Sequence, residues 1–177
     1  VGNNQLFEDN DISGIGYAAE GGYGGINESH GGLGDDATHH NIYRRNHIHD
    51  FTNDNARGIW IQGRTHDSII EFNLIENIWT TGLGQCIDLD AGASGLVQWR
   101  HTIRNNTIKD CSYVGIQIEN TFDSLIENNL VMAEKGGNAG VIVINYSPSV
   151  GCGAGGEDNQ YGDTNGDNSC KGDITNN

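Results

Sequence analysis

Five segments of this 177-residue chain repeat one seven-residue pattern. Residues 6–12, 42–48, 69–75, 102–108 and 125–131 each read apolar, apolar, charged, variable, Asn, variable, apolar, with Thr102 standing in at one first position. The shared asparagines are Asn10, Asn46, Asn73, Asn106 and Asn129, spaced 36, 27, 33 and 23 residues apart. A template recurring at such intervals marks stacked supersecondary units. The uneven gaps mean that loops of different length leave a constant scaffold. Function is therefore to be sought in the loops and on the outward faces.

The template is short, rich in β-branched residues and bounded by Gly, Asn and Asp, which suits strands better than helices. A second apolar pair follows a glycine or cysteine in four coils: Ile59/Ile61, Ile87/Leu89, Ile116/Ile118 and Val141/Val143. That period-two alternation shows one face of a further strand to the core. Asn tolerates the left-handed backbone of a sharp bend, and stacked asparagines can form an amide ladder. In these residues, over positions 3 to 145, the chain resembles the right-handed parallel β-helix proteins, the architecture of many polysaccharide lyases, epimerases and pectinases. The resemblance implies an all-β solenoid of about five coils with an Asn ladder. It names no reaction, and no epimerase or polygalacturonase signature is present.

Aligned on the asparagines, two charged columns emerge. Glu8, Arg44, Glu71, Arg104 and Glu127 stand two positions before; Asn4, His40, Asp67, Arg100 and Asp123 stand six before. Parallel strands lie about 4.8 Å apart, so alternating signs predict a salt-bridge ladder that fixes register. Leu6, Ile42, Ile69, Thr102 and Leu125 face outward by parity, unless a bend turns two adjacent columns inward. An exposed apolar stripe would instead be an interaction surface.

The length suits one domain, with coils over residues 1–150, an insertion over 151–172 and the start of another coil over 173–177. Asp173-Ile174-Thr175-Asn176-Asn177 matches 125–129 at Ile126, Asn128 and Asn129. This pattern fits either a piece of a longer β-helix or open coil ends that stack on other copies of the chain. A net charge of −15 argues against nucleic acid and anionic membrane surfaces as partners. No apolar run approaches the roughly 20 residues of a membrane span.

The insertion is bracketed by Cys152 and Cys170, a candidate disulfide. Within it Asp163, Asn165 and Asp167 alternate around Gly166, similar to the start of calcium loops of the EF-hand or dockerin kind. The twelfth position is Ile174 rather than an acid, with Asp173 one residue short. Calcium is thus the candidate cofactor, against a solvated acidic turn. Cys86 and Cys111 occupy different template columns, which leaves a disulfide or two buried thiols open. Sequons at Asn27, Asn105 and Asn145 permit glycosylation and suit an extracellular or cell-surface chain.

The outward positions of the second strand are Trp60 and Gln62, Asp88 and Asp90, Gln117 and Glu119, and Ile142 and Ile144. Paired carboxylates beside an aromatic platform are what sugar hydrolysis uses. Asp88, Asp90 and Glu119 are the candidate catalytic acids, with Trp60 and Gln117 for substrate; Trp79 and Trp99 could stack on sugar rings from loops. A lyase would need a base and cations from His47, His49, His101, Arg100, Arg104 or Lys109. His39 and His66 share a column as stacked imidazoles, without an evident third metal ligand. The sequence thus points to an extracellular module that binds or processes polysaccharide. The alternative is a structural solenoid (a fibre, sheath or adhesin) built by coil-end stacking.

Overall fold

The structure is a computed structural model that describes residues 2–14, 23–30, 38–52, 55–80, 82–90, 98–132, 140–145 and 173–175. Their strands form four sheets, and every pairing among them is parallel, as in a β-helix. Sheet A holds Leu6–Glu8, Ile42–Arg44, Ile69–Glu71, Thr102–Arg104, Leu125–Glu127 and Asp173–Thr175. Sheet B holds Asp11–Ser13, His47–Phe51, Leu74–Ile78, Thr107–Cys111 and Leu130–Met132. Sheet C holds Tyr23–His30, Ala56–Gly63, Gln85–Asp90, Val114–Glu119 and Gly140–Asn145, and sheet D the short Thr38–His39, Thr65–His66, Gln98–Trp99 and Thr121–Phe122.

The core is a set of apolar columns running along the solenoid. Tyr43, Ile70, Ile103 and Ile126 stack in sheet A. Ile48, Ile75 and Ile108 stack in sheet B, and Ile59, Ile87 and Ile116 in sheet C. Burying an isoleucine contributes roughly 1.5–3 kcal/mol, so a column per sheet supplies most of the driving force. Glycine is required where two chain segments nearly touch: a Cβ at Gly58 would sit 2.6 Å from Ile75 and 2.5 Å from the Cys86 carbonyl. Glu28 places a carboxyl in this interior, fully buried, accepting from the Tyr43 hydroxyl at 2.5 Å and from Ser68 Oγ at 3.3 Å. Burial pushes its carboxyl above the ordinary range, with the hydroxyl bonds opposing.

The asparagine ladder is continuous. Each Nδ2 donates to the next Oδ1, from Asn10 to Asn46 at 2.8 Å, Asn46 to Asn73 at 3.0 Å, Asn73 to Asn106 at 3.0 Å and Asn106 to Asn129 at 2.9 Å. The same Oδ1 atoms accept the backbone N–H of the preceding asparagine at 3.0–3.2 Å. The second Nδ2 hydrogen goes to a sheet A carbonyl one coil back, as from Asn73 to Tyr43 at 2.9 Å. The left-handed backbone belongs to the residue before each ladder asparagine: Asp9, Arg45, Phe72, Asn105 and Asn128, all with φ of 54–57°. The asparagines thus serve the bend with their amides, and the expectation that they take the strained conformation is corrected.

A second set of backbone caps lies at the bend before sheet A. Gln5 N–H donates to Asn41 Oδ1 at 2.8 Å, Ser68 N–H to His101 Nδ1 at 3.2 Å, and His101 N–H to Ser124 Oγ at 3.0 Å. The residues just before them, Asn4, His40, Asp67, Arg100 and Asp123, again have positive φ, 49–57°.

Two expectations are resolved by the register. Leu6 is 48 % exposed and Ile42, Ile69, Thr102 and Leu125 are half-buried, so that column faces outward as parity demands. Gly140–Asn145 pairs Ile142 with Ile116 and Ile144 with Ile118. Val143 and Asn145, rather than Ile142 and Ile144, therefore fall beside Gln117 and Glu119 in register. A one-residue slip exchanges the two faces of a strand, and the alternating Val-Ile-Val-Ile run carries no marker of its own register. Asp173–Thr175 pairs with Leu125–Glu127, setting Ile174 beside Ile126.

Cys86 and Cys111 form a disulfide between sheets C and B, 25 residues apart in sequence. Cys152, Cys170, Asp163, Asn165 and Asp167 lie outside the described residues, as do the side chains of Asp173 and Asn145.

Two outcomes are expected. Asn73→Leu, close in volume, orphans the Asn46 N–H and the Tyr43 carbonyl and should lower unfolding free energy by about 3 kcal/mol or more in urea titration. Reducing Cys86–Cys111, or replacing both by alanine, should cost about 3.5 kcal/mol by the loop-entropy relation for its 25-residue span, read as a drop in melting temperature.

Candidate functional site

Sheet C carries a polar cluster on its outward face. Register sets Trp60, Asp88 and Gln117 in one column on successive coils, and Gln62, Asp90 and Glu119 in the next. Arg57 and Gln85 occupy a third column. The inward columns between them are Ile59/Ile87/Ile116 and Ile61/Leu89/Ile118, all buried, so the scaffold holds these polar groups on a rigid apolar base.

Hydrogen bonds knit the cluster across coils. Arg57 Nε donates to Asp88 Oδ2 at 2.5 Å, and the guanidinium lies 4.2 Å over the Trp60 ring. Gln85 Nε2 donates to Gln117 Oε1 at 2.6 Å, and Gln117 Nε2 in turn donates to Glu119 Oε1. Asp88 is 1 % exposed and Gln117 8 %, while Asp90 and Glu119 are half-buried. The three acids expected to act alike are thus unequal. Asp90 and Glu119 reach solvent; Asp88 is the inner member of an ion pair, and its Oδ1 finds no hydrogen-bond donor among the described residues.

Burial raises the Asp88 carboxyl to about 7; Arg57 opposes the shift, and neighbouring Asp90 and Glu119 add to it. Removing a carboxylate from water outweighs one guanidinium contact here. Asp88 therefore exchanges a proton near neutral pH beside the carboxyls of Asp90 and Glu119.

Arg57 was not singled out by sequence. Its signal was available, for it stands three residues before Trp60 as Gln85 stands three before Asp88.

The other candidates disperse. Arg100 is bidentate on Asp67, at 2.8 and 2.6 Å, and Arg104 bonds Glu71 at 2.8 Å. Arg44 bonds Glu8 at 2.7 Å. These are the register ladders expected from the alternating columns. Lys109 Nζ stands 3.9 Å from Glu76. His101 is buried in the core, where desolvation drops its imidazole to about 4; as a neutral ring it accepts from Ser68 and faces Thr65 Oγ1 at 3.3 Å. Of the lyase candidates, His47 and His49 stack at 4.0 Å on sheet B and His47 shares Glu76 with Lys109, while His101, Arg100 and Arg104 are held by other partners. Trp99 is a buried strand residue stacked on His66 at 4.7 Å, and only Trp79 of the two remaining tryptophans is exposed. His39 and His66 stack as expected, 4.8 Å apart. Asn27 is exposed beside Trp60 in register, and Asn105 is half-buried at a bend.

The sequence model of the right-handed β-helix region matches residues 1–152. The chain belongs to this right-handed β-helix family. No curated protein and no solved structure matches the chain.

The shifted Asp88 sets a pH dependence of stability. Its folded value, about 7, exceeds the ordinary 3.8, so the folded state holds the extra proton in that window and stability falls as pH rises through it. Melting temperatures measured across that window should decline for the wild type, and the decline should be shallower for Asp88→Asn. Equal slopes would show that Asp88 titrates normally.

Proposed function

We propose that the outward face of sheet C is a polysaccharide-binding surface and that Asp90 and Glu119 act on a glycosidic bond there. The observation that supports this most is the pairing of two solvent-reaching acids on neighbouring strands with a third, proton-holding carboxyl beside them. Glycoside hydrolysis takes one protonated and one ionised carboxyl, separated by about 5–9.5 Å, on either side of the bond. Neighbouring strands about 4.8 Å apart suit that scale. Asp88 is covered, so its part is to hold a proton and Arg57 in place, not to touch sugar. The Gln85–Gln117 relay orients Glu119.

Charge favours neutral glycans over polyuronates. The carboxyls of Asp88, Asp90 and Glu119 stand together on this face and Arg57 is engaged by Asp88, an arrangement that disfavours a uronate carboxylate. Trp60 supplies an apolar ring under Arg57, and sugars stack on such rings with their C–H faces. Family membership is consistent with polysaccharide processing and with structural solenoids alike. The extracellular setting, glycosylation at Asn27, Asn105 or Asn145, and calcium at Asp163, Asn165, Asp167 and Asp173 belong to the same proposal.

A panel of neutral and acidic polysaccharides tests it, scored for binding and for new reducing ends. A neutral glycan should be bound and cut, and Asp90→Asn or Glu119→Gln should slow cleavage by about 100-fold or more, as loss of an acid–base group does. Binding without cleavage, lost in Trp60→Ala, would reduce the proposal to a binding module. No binding to any glycan would reject it and leave the structural solenoid.

A further inference from the structure

Sheet B carries a second outward cluster that the glycan reading does not use. Register places Asp11 beside His47 and Ser13 beside His49, so Asp11 and both imidazoles share one face of the first two coils. The two rings stack at 4.0 Å. His49 Nε2 lies 2.9 Å from Asp11 Oδ1, and His47 Nδ1 lies 3.9 Å from Asp11 Oδ2. One nitrogen from each ring and the Asp11 carboxylate therefore lie within 4.8 Å of one another.

The remaining ring nitrogens are held from outside. His47 Nε2 lies 2.9 Å from Glu76 Oε1, and His49 Nδ1 lies 2.8 Å from Asp50 Oδ2. Metal-ligating histidines commonly have their second nitrogen tied to a carboxylate in this way, which fixes ring orientation and raises basicity at the ligating atom. Both rings thus turn their other nitrogen toward the same aspartate.

We propose that Asp11, His47 and His49 bind a divalent first-row transition cation of the zinc class. Two imidazole nitrogens and one carboxylate oxygen suit such an ion rather than calcium, which takes six to eight oxygens. The cation takes the place of the proton shared between His49 and Asp11, leaving both rings neutral and hydrogen-bonded to Asp50 and Glu76. Asp11 is 73 % exposed at its side chain, so water completes the coordination.

A second group, His40, His66 and Asp67, has similar spacing. Its aspartate is already gripped by both arms of Arg100, at 2.8 and 2.6 Å. That guanidinium occupies the charge a cation would need, so the group belongs to the register ladder and serves as an internal control.

The test is a titration of the whole chain with zinc chloride, followed by calorimetry and by the nitrogen shifts of the histidine side chains, with calcium chloride as the contrasting probe. Zinc should shift His47 and His49 and leave His39, His40 and His66 in place; calcium should shift none of these rings. His47→Ala or His49→Ala should weaken zinc binding at least about tenfold, and Glu76→Gln about tenfold through the outer contact. His66→Ala should leave it unchanged. These positions are on the surface of sheet B, and the wild-type shifts are read whether or not a variant folds. Zinc shifts confined to His39, His40 and His66, or no shift at any histidine, would overturn the assignment.

Discussion

The inner coils of this solenoid each pass through an amide, that of Asn46, Asn73 or Asn106, whose hydrogen-bonding capacity is met by the coils on either side. Asn73 donates to Asn106 and to the Tyr43 carbonyl, and accepts from the side chain and backbone of Asn46. Such a bond stabilises modestly on its own, about 1 kcal/mol, but an unmet buried amide costs more. A coil slipped by one residue would bury several unmet amides at once. The ladder is therefore chiefly a register device, and the apolar columns supply the attraction that it aligns.

Register in turn decides what each face can do. On sheet A the outward charges pair between neighbouring coils, Glu8 with Arg44 and Glu71 with Arg104, and are spent on alignment. On sheet C the same stacking brings acids together. Asp88 has Arg57, but Asp90 and Glu119 lie alongside, and burial lifts Asp88 to about 7. On sheet B it sets two imidazoles beside Asp11. The geometry that makes an ion-pair ladder from alternating signs makes a site where the signs repeat.

The fold was legible because its signal is repetitive. Five asparagines at one template position, flanked by residues of alternating face, specify strand, bend and stacking together. What a single coil alone would have to declare was harder to read. The strand at residues 140–145 alternates Val and Ile, so both faces look equally apolar and its register came only from pairing with Val114–Glu119. Tyr23–His30 opens sheet C, but its core face offers Ile26 and Glu28 in place of two aliphatics, which hid it. The Cys86–Cys111 bond links two sheets, a relation that column counting within one template cannot express. At the candidate site the acids, Trp60 and Gln117 were found, Arg57 and Gln85 were missed, and burial was not legible, since parity tells which face a side chain takes and says nothing about what neighbours cover it. Asp88 is outward and yet 1 % exposed.

The claim on which the rest depends is that the asparagine ladder holds the register. Native-state hydrogen exchange of the backbone amides measures it most directly, because the N–H groups of Asn46, Asn73 and Asn106 are bound to the ladder itself. The account predicts that these three amides exchange only through global unfolding, with the same opening free energy as the most protected amides of sheet C. Exchange of the ladder amides through local openings, while Ile87 and Ile116 stay protected, would contradict it and place the control of register in the apolar columns.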